Sequence, residues 1–222
     1  TQKSLDSIHS WCIDSGLTLS TMKTHSVMFT WRRNWSLSKP LKVNDTVIEL
    51  RDSTRFLGVI LDSKLSWNNH IEKQCKKAKG ILMQCRRAIG PTWGFTPKTM
   101  KWIYTAVVRP TLTYAATIWL NGLQKKKNLT LLKGVQRLGN ILITGALPST
   151  PGTALDTITG TTPIDLLIEE EAVKGALRLQ ANNHWIQEPM INQKGHLTTH
   201  TKLIENILKP VSYTHLTLPT IE

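Results

Sequence analysis

The stretch TRFLGVILDSKLSWNNHIE, residues 54–72, decides how the rest of the chain is interpreted. It contains an apolar and β-branched run over residues 56–61 that stops at Asp62. Such a run bounded by turn residues predicts a short buried strand. Gly58 lies inside the run, where a missing side chain often marks a bulge or the close approach of another backbone. After Trp67 the pattern changes to that of a long basic helix.

This helix is predicted to have one apolar and one basic face. Apolar residues recur every three or four positions, as expected for an amphipathic helix that buries one stripe. The stripe consists of Ile71, Cys75, Ala78, Leu82, Cys85 and Ile89. Gly90 and Pro91 are expected to end the helix. The remaining positions carry Lys73, Lys76, Lys77, Lys79, Arg86 and Arg87.

Acidic residues are missing from a long part of the chain. None occurs between Glu72 and Asp156, whereas residues 73–137 include fourteen lysines and arginines, and the whole chain has a formal net charge of +13. A solvated face normally mixes both signs, so this segment predicts an acidic partner. We expect it to bind duplex nucleic acid through the phosphate backbone. The predicted nucleic-acid-binding residues are Lys73, Lys76, Lys77, Lys79, Arg86, Arg87, Lys98 and Lys101.

Further helices are predicted downstream. Thr96 followed by Pro97 is a typical helix start, and Pro110 is the expected end of that helix. Apolar periodicity predicts three more helices, together with a short one over residues 151–158. These three span residues 111–120, 126–144 and 163–181. The stripe of the helix over 126–144 is expected to be Leu129, Leu132, Val135, Leu138 and Leu142.

The beginning of the chain predicts a small mixed region. Apolar residues at helical spacing predict a helix over residues 1–15. A strand is expected over residues 26–30. Asn44 and Asp45 lie between two apolar segments, a pattern that favours a hairpin. Together with the strand over 56–61, these segments are expected to form one small antiparallel sheet.

The order strand, turn, Trp, Asn-His-Ile and basic helix resembles the junction of palm and thumb in reverse transcriptases of non-LTR retrotransposons, jockey-like elements above all. The segment VVRPTLTYAATIW, residues 107–119, resembles the thumb of the same enzymes. The resemblance covers about residues 1–180 and implies a parent enzyme that carries out RNA-directed DNA synthesis. It also implies that Phe56, Leu57 and Gly58 form the primer grip, which holds the 3′ end of the growing strand. An ordinary edge hairpin is the alternative.

The segment before the first strand resembles motif D of these enzymes. A helix containing Trp11 and Cys12 is followed by Gly16, by an alternating stretch and by Lys23 and Thr24. The resemblance implies that Lys23 protonates the leaving pyrophosphate as the phosphodiester forms. A cation suits that place because negative charge develops there in the transition state. The alternative is a solvated or ion-paired surface lysine.

Template-directed polymerisation needs carboxylates that hold two divalent cations against the incoming triphosphate. In the resembled enzymes they come from an Asp of motif A and an aromatic-x-Asp-Asp turn, and this chain has no Asp-Asp pair. We therefore expect a fragment that begins after both motifs, that grips template and primer and that binds no cofactor, whereas the intact parent uses Mg²⁺. The alternative is a non-enzymatic basic helical nucleic-acid-binding module, either a domesticated remnant or a pseudogene product.

Several other kinds of protein are disfavoured. The cysteines contain no CxxC pair, which argues against a zinc site and fits free thiols in a reducing compartment. We expect an intracellular protein, nuclear or cytoplasmic, and not a secreted one. A peripheral membrane protein is a further alternative, but small Cys and Ala residues in the stripe over 71–89 disfavour insertion into lipid. The three cysteines are Cys12, Cys75 and Cys85.

Two groups of residues have the composition of a metal site but the wrong arrangement. Asp165 and residues 169–171 are acidic, and they fit the dipole at the start of a helix better than a metal cluster. His196 and His200 are four residues apart, but Leu197 stands where the metalloprotease motif needs a Glu. We therefore expect no metal site.

The predicted fold class is α+β and mainly helical, with a small antiparallel palm sheet packed on a helical thumb bundle. The expected domains are a partial palm over residues 1–67, a basic helical thumb over 68–145 and a helical connection region over 146–210. Residues 211–222 show no relation to the preceding sequence, and we interpret them as a non-native tail outside the fold. The sequence leaves the oligomeric state open.

Overall fold

The structure is a computed structural model that describes residues 2–30, 32, 39–90, 93–182 and 184. The chain divides into two compact units, Thr1–His70 and Ile71–Glu222. The predicted tail, the two spaced histidines His196 and His200, and the connection region beyond residue 184 lie outside the described residues. The domain boundaries inferred from sequence remain predictions.

The first unit combines one helix with short strand pairs. Helix α1 spans Gln2–Asp14, which confirms the predicted helix. The strands are β1 His25–Ser26, β2 Lys42–Val43, β3 Thr46–Val47, β4 Glu49–Leu50, β5 Ser53–Phe56 and β6 Val59–Asp62. They form three two-stranded sheets: β1 pairs with β4 in parallel, and β2–β3 and β5–β6 are antiparallel. The single antiparallel sheet was a wrong prediction, because turns after every two to four residues leave the ladders too short to join.

Two strand predictions at the start of the chain have different outcomes. The strand expected over residues 26–30 is wrong in extent: only His25 and Ser26 pair, because the parallel partner β4 is itself two residues long. The hairpin predicted at Asn44 and Asp45 is confirmed, with φ values of 47° and 59°. Positive φ at both central residues is the mark of a type I′ turn, whose twist matches that of the flanking strands.

The apolar run over residues 56–61 is a hairpin and not the single strand that was predicted. Phe56 ends β5 and Val59 begins β6, and the two residues face each other in the antiparallel register. Leu57 and Gly58 connect them with φ values of 45° and 87°. Gly58 adopts this conformation without steric cost, because it has no Cβ. The glycine inside the run therefore marks a reversal of the chain.

The second unit is helical. Its helices are α2 Asn68–Arg87, which begins three residues before the boundary, α3 Pro97–Ile103, α4 Arg109–Thr113, α5 Ala116–Trp119, α6 Lys126–Thr144, α7 Gly152–Thr159 and α8 Ile164–Ala181. The helices predicted over 126–144 and 163–181 are confirmed, as is a mainly helical α+β fold. In the part of the chain that the structure describes, no helix is long and apolar enough to cross a membrane.

The helix that begins at Pro97 does not end at Pro110, which corrects the sequence prediction. A π-helical turn, Tyr104–Val108, follows α3, and the backbone N–H of Arg109 donates to the carbonyl oxygen of Tyr104, five residues earlier. Such wide turns interrupt α-helices without ending them. Pro110 then falls in the first turn of α4, where a missing N–H is tolerated.

The buried face of α6 differs from the predicted leucine stripe. Leu132 and Val135 are buried as expected, whereas the other three leucines of that stripe are only partly covered. Polar residues take their place: Asn128, Gln136 and Asn140 are all buried. Each has a hydrogen-bond partner elsewhere in the unit, which removes most of the cost of burial. The side of α6 that faces the core is therefore the one that carries the hydrogen-bonding residues, and not the one with the most leucines.

Candidate nucleic-acid interface

The β5–β6 hairpin presents apolar side chains at its tip. Phe56 is 63% exposed and Leu57 is 77% exposed, although both are large and apolar. Val59, on the other side of the turn, is buried and anchors the hairpin. Exposed apolar side chains of this size usually mark a contact surface when they are grouped. The structure therefore brings the predicted primer-grip residues Phe56, Leu57 and Gly58 together at one exposed turn.

The Asp62 carboxylate and His70 fix the hairpin and the turn that follows it within the first unit. Asp62 accepts three backbone hydrogen bonds from the turn that follows β6. The donors are the N–H groups of Lys64, Ser66 and Trp67, at 2.9 to 3.1 Å. The N–H of Ile60 donates to Nδ1 of buried His70 at 3.3 Å. These bonds hold the hairpin and the turn after β6 in one geometry.

Lys23 lies at the surface in a tight turn just before β1. Its N–H donates to the carbonyl oxygen of Ser20 at 3.2 Å, and the Thr24 hydroxyl donates to the same oxygen at 2.8 Å. His25, at the start of β1, shares a hydrogen bond of 2.5 Å with the hydroxyl of Thr54 in β5. The turn that carries Lys23 and the hairpin therefore belong to the same hydrogen-bonded unit.

Helix α2 has the two faces that the sequence predicted. Ile71, Cys75, Ala78 and Leu82 are buried, while Cys85 is partly covered and Ile89 lies beyond the helix end at Arg87. All six basic residues of the helix are exposed. At 100° per residue, four of them point away from the buried stripe and two flank it. The four are Lys73, Lys76, Lys77 and Arg87, and the two are Lys79 and Arg86.

Glu72 is the one acidic residue at the edge of this basic face. Its carboxylate forms an ion pair with Lys76 at 2.8 Å. The hydrogen bond from Lys76 is the main reason that the pKa of Glu72 is lowered, and the charge of Lys127 lowers it further. The field of Lys127 shows that the start of α6 lies near the start of α2. The consecutive lysines at the start of α6 therefore add to the positive charge around α2.

The other two predicted binding residues, Lys98 and Lys101, are exposed on α3. This helix begins as the sequence predicted: the N–H of Thr99 donates to the Thr96 hydroxyl at 3.2 Å, and Pro97 occupies the first turn. Lys98 and Lys101 are one turn apart and lie on one side of α3. The structure thus places six of the eight predicted cations on α2 and two on a separate helix.

Few of the basic residues in the acid-free segment are neutralised within the protein. Lys76 pairs with Glu72 at 2.8 Å, and Lys133 pairs with Asp165 at 2.9 Å. Arg109 donates to the carbonyl oxygen of Thr162 at 2.8 Å. Arg137 donates to the carbonyl oxygen of Pro148. The eight predicted binding residues are all exposed, so their positive charge faces solvent.

The described residues contain no group of three or more His, Cys, Asp or Glu side chains that could hold a metal ion. Asp165 is occupied by Lys133, and Glu170 and Glu171 both pair with Lys174. Burial raises the pKa of the Cys75 thiol to about 11, so the thiol stays protonated at neutral pH.

Sequence reasoning missed a polar cluster centred on Asp156. The Asp156 carboxylate accepts hydrogen bonds from Gln136 at 2.6 Å and Asn140 at 2.7 Å. Asn140 also donates to the Thr161 hydroxyl at 3.1 Å, and Thr161 shares a hydrogen bond with Thr159. The available signal was a Gln and an Asn four residues apart, which places them on one face of α6. The cluster joins α6, α7 and the loop before α8, so it positions the helices and is not itself an interface.

Comparison with known proteins relates the chain to retrotransposon proteins. It is 22% identical over 171 residues to a putative 115 kDa protein in the type-1 retrotransposable element R1DM of Drosophila melanogaster, covering 77% of the chain and 17% of that protein. It is 22% identical over 154 residues to a probable RNA-directed DNA polymerase from transposon BS of the same fly, covering 69% of the chain and 17% of the polymerase.

A third relative comes from a wasp, Nasonia vitripennis. The chain is 26% identical over 147 residues to the retrovirus-related Pol polyprotein of its type-1 retrotransposable element R1 4, covering 66% of the chain and 37% of the polyprotein. The chain thus spans between about a sixth and about two fifths of the length of these three relatives. No protein-family model matches it, and no solved structure matches it.

Proposed function

We propose that this chain, which is related in sequence to the reverse-transcriptase polyproteins of non-LTR retrotransposons, grips the template–primer duplex of such an enzyme. The duplex would be RNA–DNA or DNA, held through its phosphates. The observation that carries the proposal is the exposed basic face of α2. The relationship of the chain to these polyproteins makes nucleic acid the expected partner for that charge.

The dimensions of α2 suit a duplex. From Lys73 to Arg87 the helix rises about 21 Å, at 1.5 Å per residue. A double helix carries about twelve phosphate charges over that length. Six exposed cations face this charge, and one of them, Lys76, is already paired with Glu72. About five phosphates can therefore be neutralised by α2 alone, with little sequence preference, because phosphates carry no base information.

The exposed tip of the β5–β6 hairpin supports a role as the primer grip. Phe56 and Leu57 place apolar surface at the end of a short, rigid turn. Such surface can press against the sugar and base of a primer end, where phosphate contacts alone would leave the strand free to slide. Asp62 and His70 fix this hairpin and the turn that follows it within the first unit. In this proposal α2 supplies affinity and the hairpin supplies position.

Lys23 is proposed to donate the proton to the leaving pyrophosphate in the intact enzyme. Its support is its position in an exposed turn of the unit that carries the hairpin. In a polymerase that includes this segment, Lys23→Ala should slow nucleotide addition by about ten- to a thousand-fold, as expected for loss of a general acid. Single-turnover kinetics would measure the rate, and Lys3→Ala is a matched surface control. Equal rates would assign Lys23 to the solvated surface and favour the non-enzymatic binding module.

The chain by itself is proposed not to polymerise. It has no Asp-Asp pair, and polymerisation needs carboxylates that hold two divalent cations. Mg²⁺ would be bound by the intact parent enzyme, where it would neutralise the charge that develops on the transferred phosphates. Primer extension on a poly-A template should show no incorporation above a control without protein. Templated incorporation would contradict this part of the proposal.

Duplex binding is tested by fluorescence anisotropy over a range of salt concentrations. Neutralising about five phosphates predicts a log–log salt slope of about −4.5. Raising the salt concentration from ~50 to ~200 mM should then weaken binding about 500-fold. Two duplexes of unrelated sequence should bind equally, because the predicted contacts avoid base edges.

Charge reversal identifies the surface that binds. Replacing Lys73, Lys77, Arg86 and Arg87 by Glu should lower the magnitude of the salt slope by about 3.6. These four are exposed and make no ion pair with a described carboxylate, so the helix should still form, as circular dichroism would show.

A control variant makes the same change in net charge elsewhere. It carries Glu in place of four other exposed cations, Lys3, Lys39, Lys42 and Arg178. This control should keep most of the affinity and the slope. Binding that is insensitive to salt, or equal losses in both variants, would overturn the proposed grip.

A further inference from the structure

We propose that α3 and the turn before it form a stacking site for unpaired bases, built from Trp93 and Trp102 with Lys98 beside Trp102. The partner is a single-stranded stretch of nucleic acid that continues from the duplex. This inference rests on the proposed function, because it assumes that the same protein surface meets nucleic acid. It adds a contact to the bases, which the basic face of α2 does not provide.

The two faces of α3 are chemically opposite. Met100 and Tyr104 are fully buried. Lys98 and Trp102 lie on the other side, and Trp102 is 65% exposed, whereas the ammonium of Lys101 lies near Gly160 at the end of α7. Residues four apart on a helix have Cβ atoms about 5–6 Å from each other, so Lys98 stands directly beside the indole of Trp102. A base stacked on this indole would have a lysine within reach of its phosphate.

Trp93 is held in place by the backbone of the turn between α2 and α3. The N–H of Gly90 donates to the carbonyl oxygen of Trp93 at 2.8 Å, and Ile89 pairs with Gly94 in an antiparallel bridge. A Cβ atom on Gly90 would come within 2.2 Å of the indole nitrogen of Trp93, so the ring lies directly against this glycine. Trp93 is nevertheless 64% exposed. One side of the ring is thus supported while much of it faces solvent.

Stacking explains this combination better than chance exposure. Single exposed apolar residues are ordinary on protein surfaces. Here two tryptophans and the exposed Phe95 fall within ten residues, in a segment with no acidic side chain to repel phosphate. Each base stacked on an aromatic ring contributes about 1–3 kcal/mol to binding, with little dependence on sequence. A positive groove lined with aromatic rings is the usual design of sites for single strands.

The test compares three labelled probes that share one duplex of about 20 base pairs. The first is blunt, the second has a single-stranded overhang of about six nucleotides, and the third has the same overhang without bases, so that its phosphates remain. With the full chain, the overhang with bases should bind at least about fivefold more tightly than the abasic overhang, the minimum that one stacked base supplies. Trp102→Ala should remove most of this difference, and Trp93→Ala a further part.

The controls separate stacking from general damage. Trp102→Phe keeps an aromatic face and should keep the difference between the probes. Trp11, 61% exposed on α1, is a matched tryptophan outside the basic segment, and Trp11→Ala should leave all three affinities unchanged. Equal affinity for the two overhangs in the unaltered chain would overturn the inference. So would a Trp102→Ala variant that keeps the full difference between them.

The blunt probe tests the proposed function separately. If the blunt duplex binds with the expected salt slope but the overhang adds nothing, the grip stands and the stacking site fails. If the blunt duplex does not bind, while a free single strand binds more tightly than its abasic counterpart and loses this advantage in Trp102→Ala, the stacking site stands and the duplex grip fails.

Discussion

The two units of this chain hold their shape in different ways. Among the described residues, five apolar side chains are buried in the unit up to His70, and nineteen are buried in the unit from Ile71 onward. The first unit relies on tight turns and on backbone hydrogen bonds such as those to Asp62. The second relies on a core of packed helices with a polar cluster around Asp156.

Backbone conformation shows the same contrast. Of the six described residues other than glycine that have positive φ, five lie in the first unit and one in the second. They are Asn44, Asp45, Leu57, Leu65 and Trp67, and Ala115. Left-handed backbone conformations are unfavourable for residues other than glycine, so these turns lower the free energy of unfolding of the first unit. Because turns and backbone hydrogen bonds hold the first unit, its hairpin can leave apolar side chains exposed at the tip. Because a packed core holds the second unit, α2 can carry many charged side chains on its exposed face.

The largest effect is expected from Asp156→Ala in the second unit. This change removes the charged acceptor shared by Gln136 and Asn140 and leaves each buried amide with one neutral acceptor, the Thr162 carbonyl at 3.3 Å and the Thr161 hydroxyl at 3.1 Å. Breaking such a charged, part-buried hydrogen-bond hub should lower the free energy of unfolding by about 3 kcal/mol. Urea unfolding followed by helical circular dichroism measures the loss.

Asp165→Ala is the matched control in the same unit. Asp165 pairs with Lys133 at the surface, where an ion pair contributes about 1 kcal/mol or less. If the two variants lost equal stability, the polar cluster would not distinguish the second unit from the first.

A smaller loss is expected from Gly139→Ala in α6. The added Cβ would lie 2.6 Å from the ring of Tyr104, which is fully buried and cannot move aside. Overpacking of this kind should cost about 2 kcal/mol. Gly134, in the same helix, has no neighbour within 4 Å, so Gly134→Ala should stabilise the unit by about 0.5–1 kcal/mol. Thermal unfolding shows whether each variant is more or less stable than the unaltered protein. A change in the same direction for both variants would contradict packing as the cause.

The smallest effect is expected in the first unit, from Leu57→Asn. Asparagine followed by glycine is the preferred pair for a turn with positive φ at both positions. The change should stabilise the hairpin by about 1 kcal/mol, as slower hydrogen exchange across β5 and β6 would show. Binding should weaken if the leucine contacts the primer.

The reciprocal change, Asn44→Leu, should destabilise the β2–β3 hairpin by a similar amount. Faster exchange in Leu57→Asn would show that backbone strain is not the feature that separates the units.

Periodicity predicted the parts of the fold that depend on burial alone. The stripe on α2 was correct at Ile71, Cys75, Ala78 and Leu82, because one face of that helix is apolar and the other is charged. Helix α8 was predicted for the same reason. The basic residues of α2 are exposed as expected, since charged side chains stay in water unless they are paired.

The errors occurred where a distant partner or the backbone decided the outcome. The buried face of α6 depends on Asp156, which is sixteen residues from Asn140, and no local pattern contains that partner. The reversal of the chain at Gly58 depends on positive φ values at Leu57 and Gly58, and the apolar run over residues 56–61 gave no sign of them. The continuation through Pro110 depends on the wide turn before it. Sequence therefore predicted which residues of α2 are buried and which are exposed, but it missed the contacts that position the helices; the role of the exposed residues as an interface stays a prediction.

The π-helical turn at Tyr104–Val108 has a consequence for deletions of residues from this part of the sequence. Met100, Tyr104, Val108 and Leu112 are spaced four apart and all fully buried. In a regular α-helix each step of four overshoots a full rotation by about 40°, so the fourth residue would be about 120° out of phase with the first. The wide turn takes up part of this drift and keeps the repeat aligned with the core. A one-residue deletion within this turn would restore a regular helix in which Met100 and Leu112 are eleven residues apart and only about 20° out of phase, so the downstream residues would keep their buried faces. The same deletion elsewhere in a regular helix would rotate the downstream residues by about 100°.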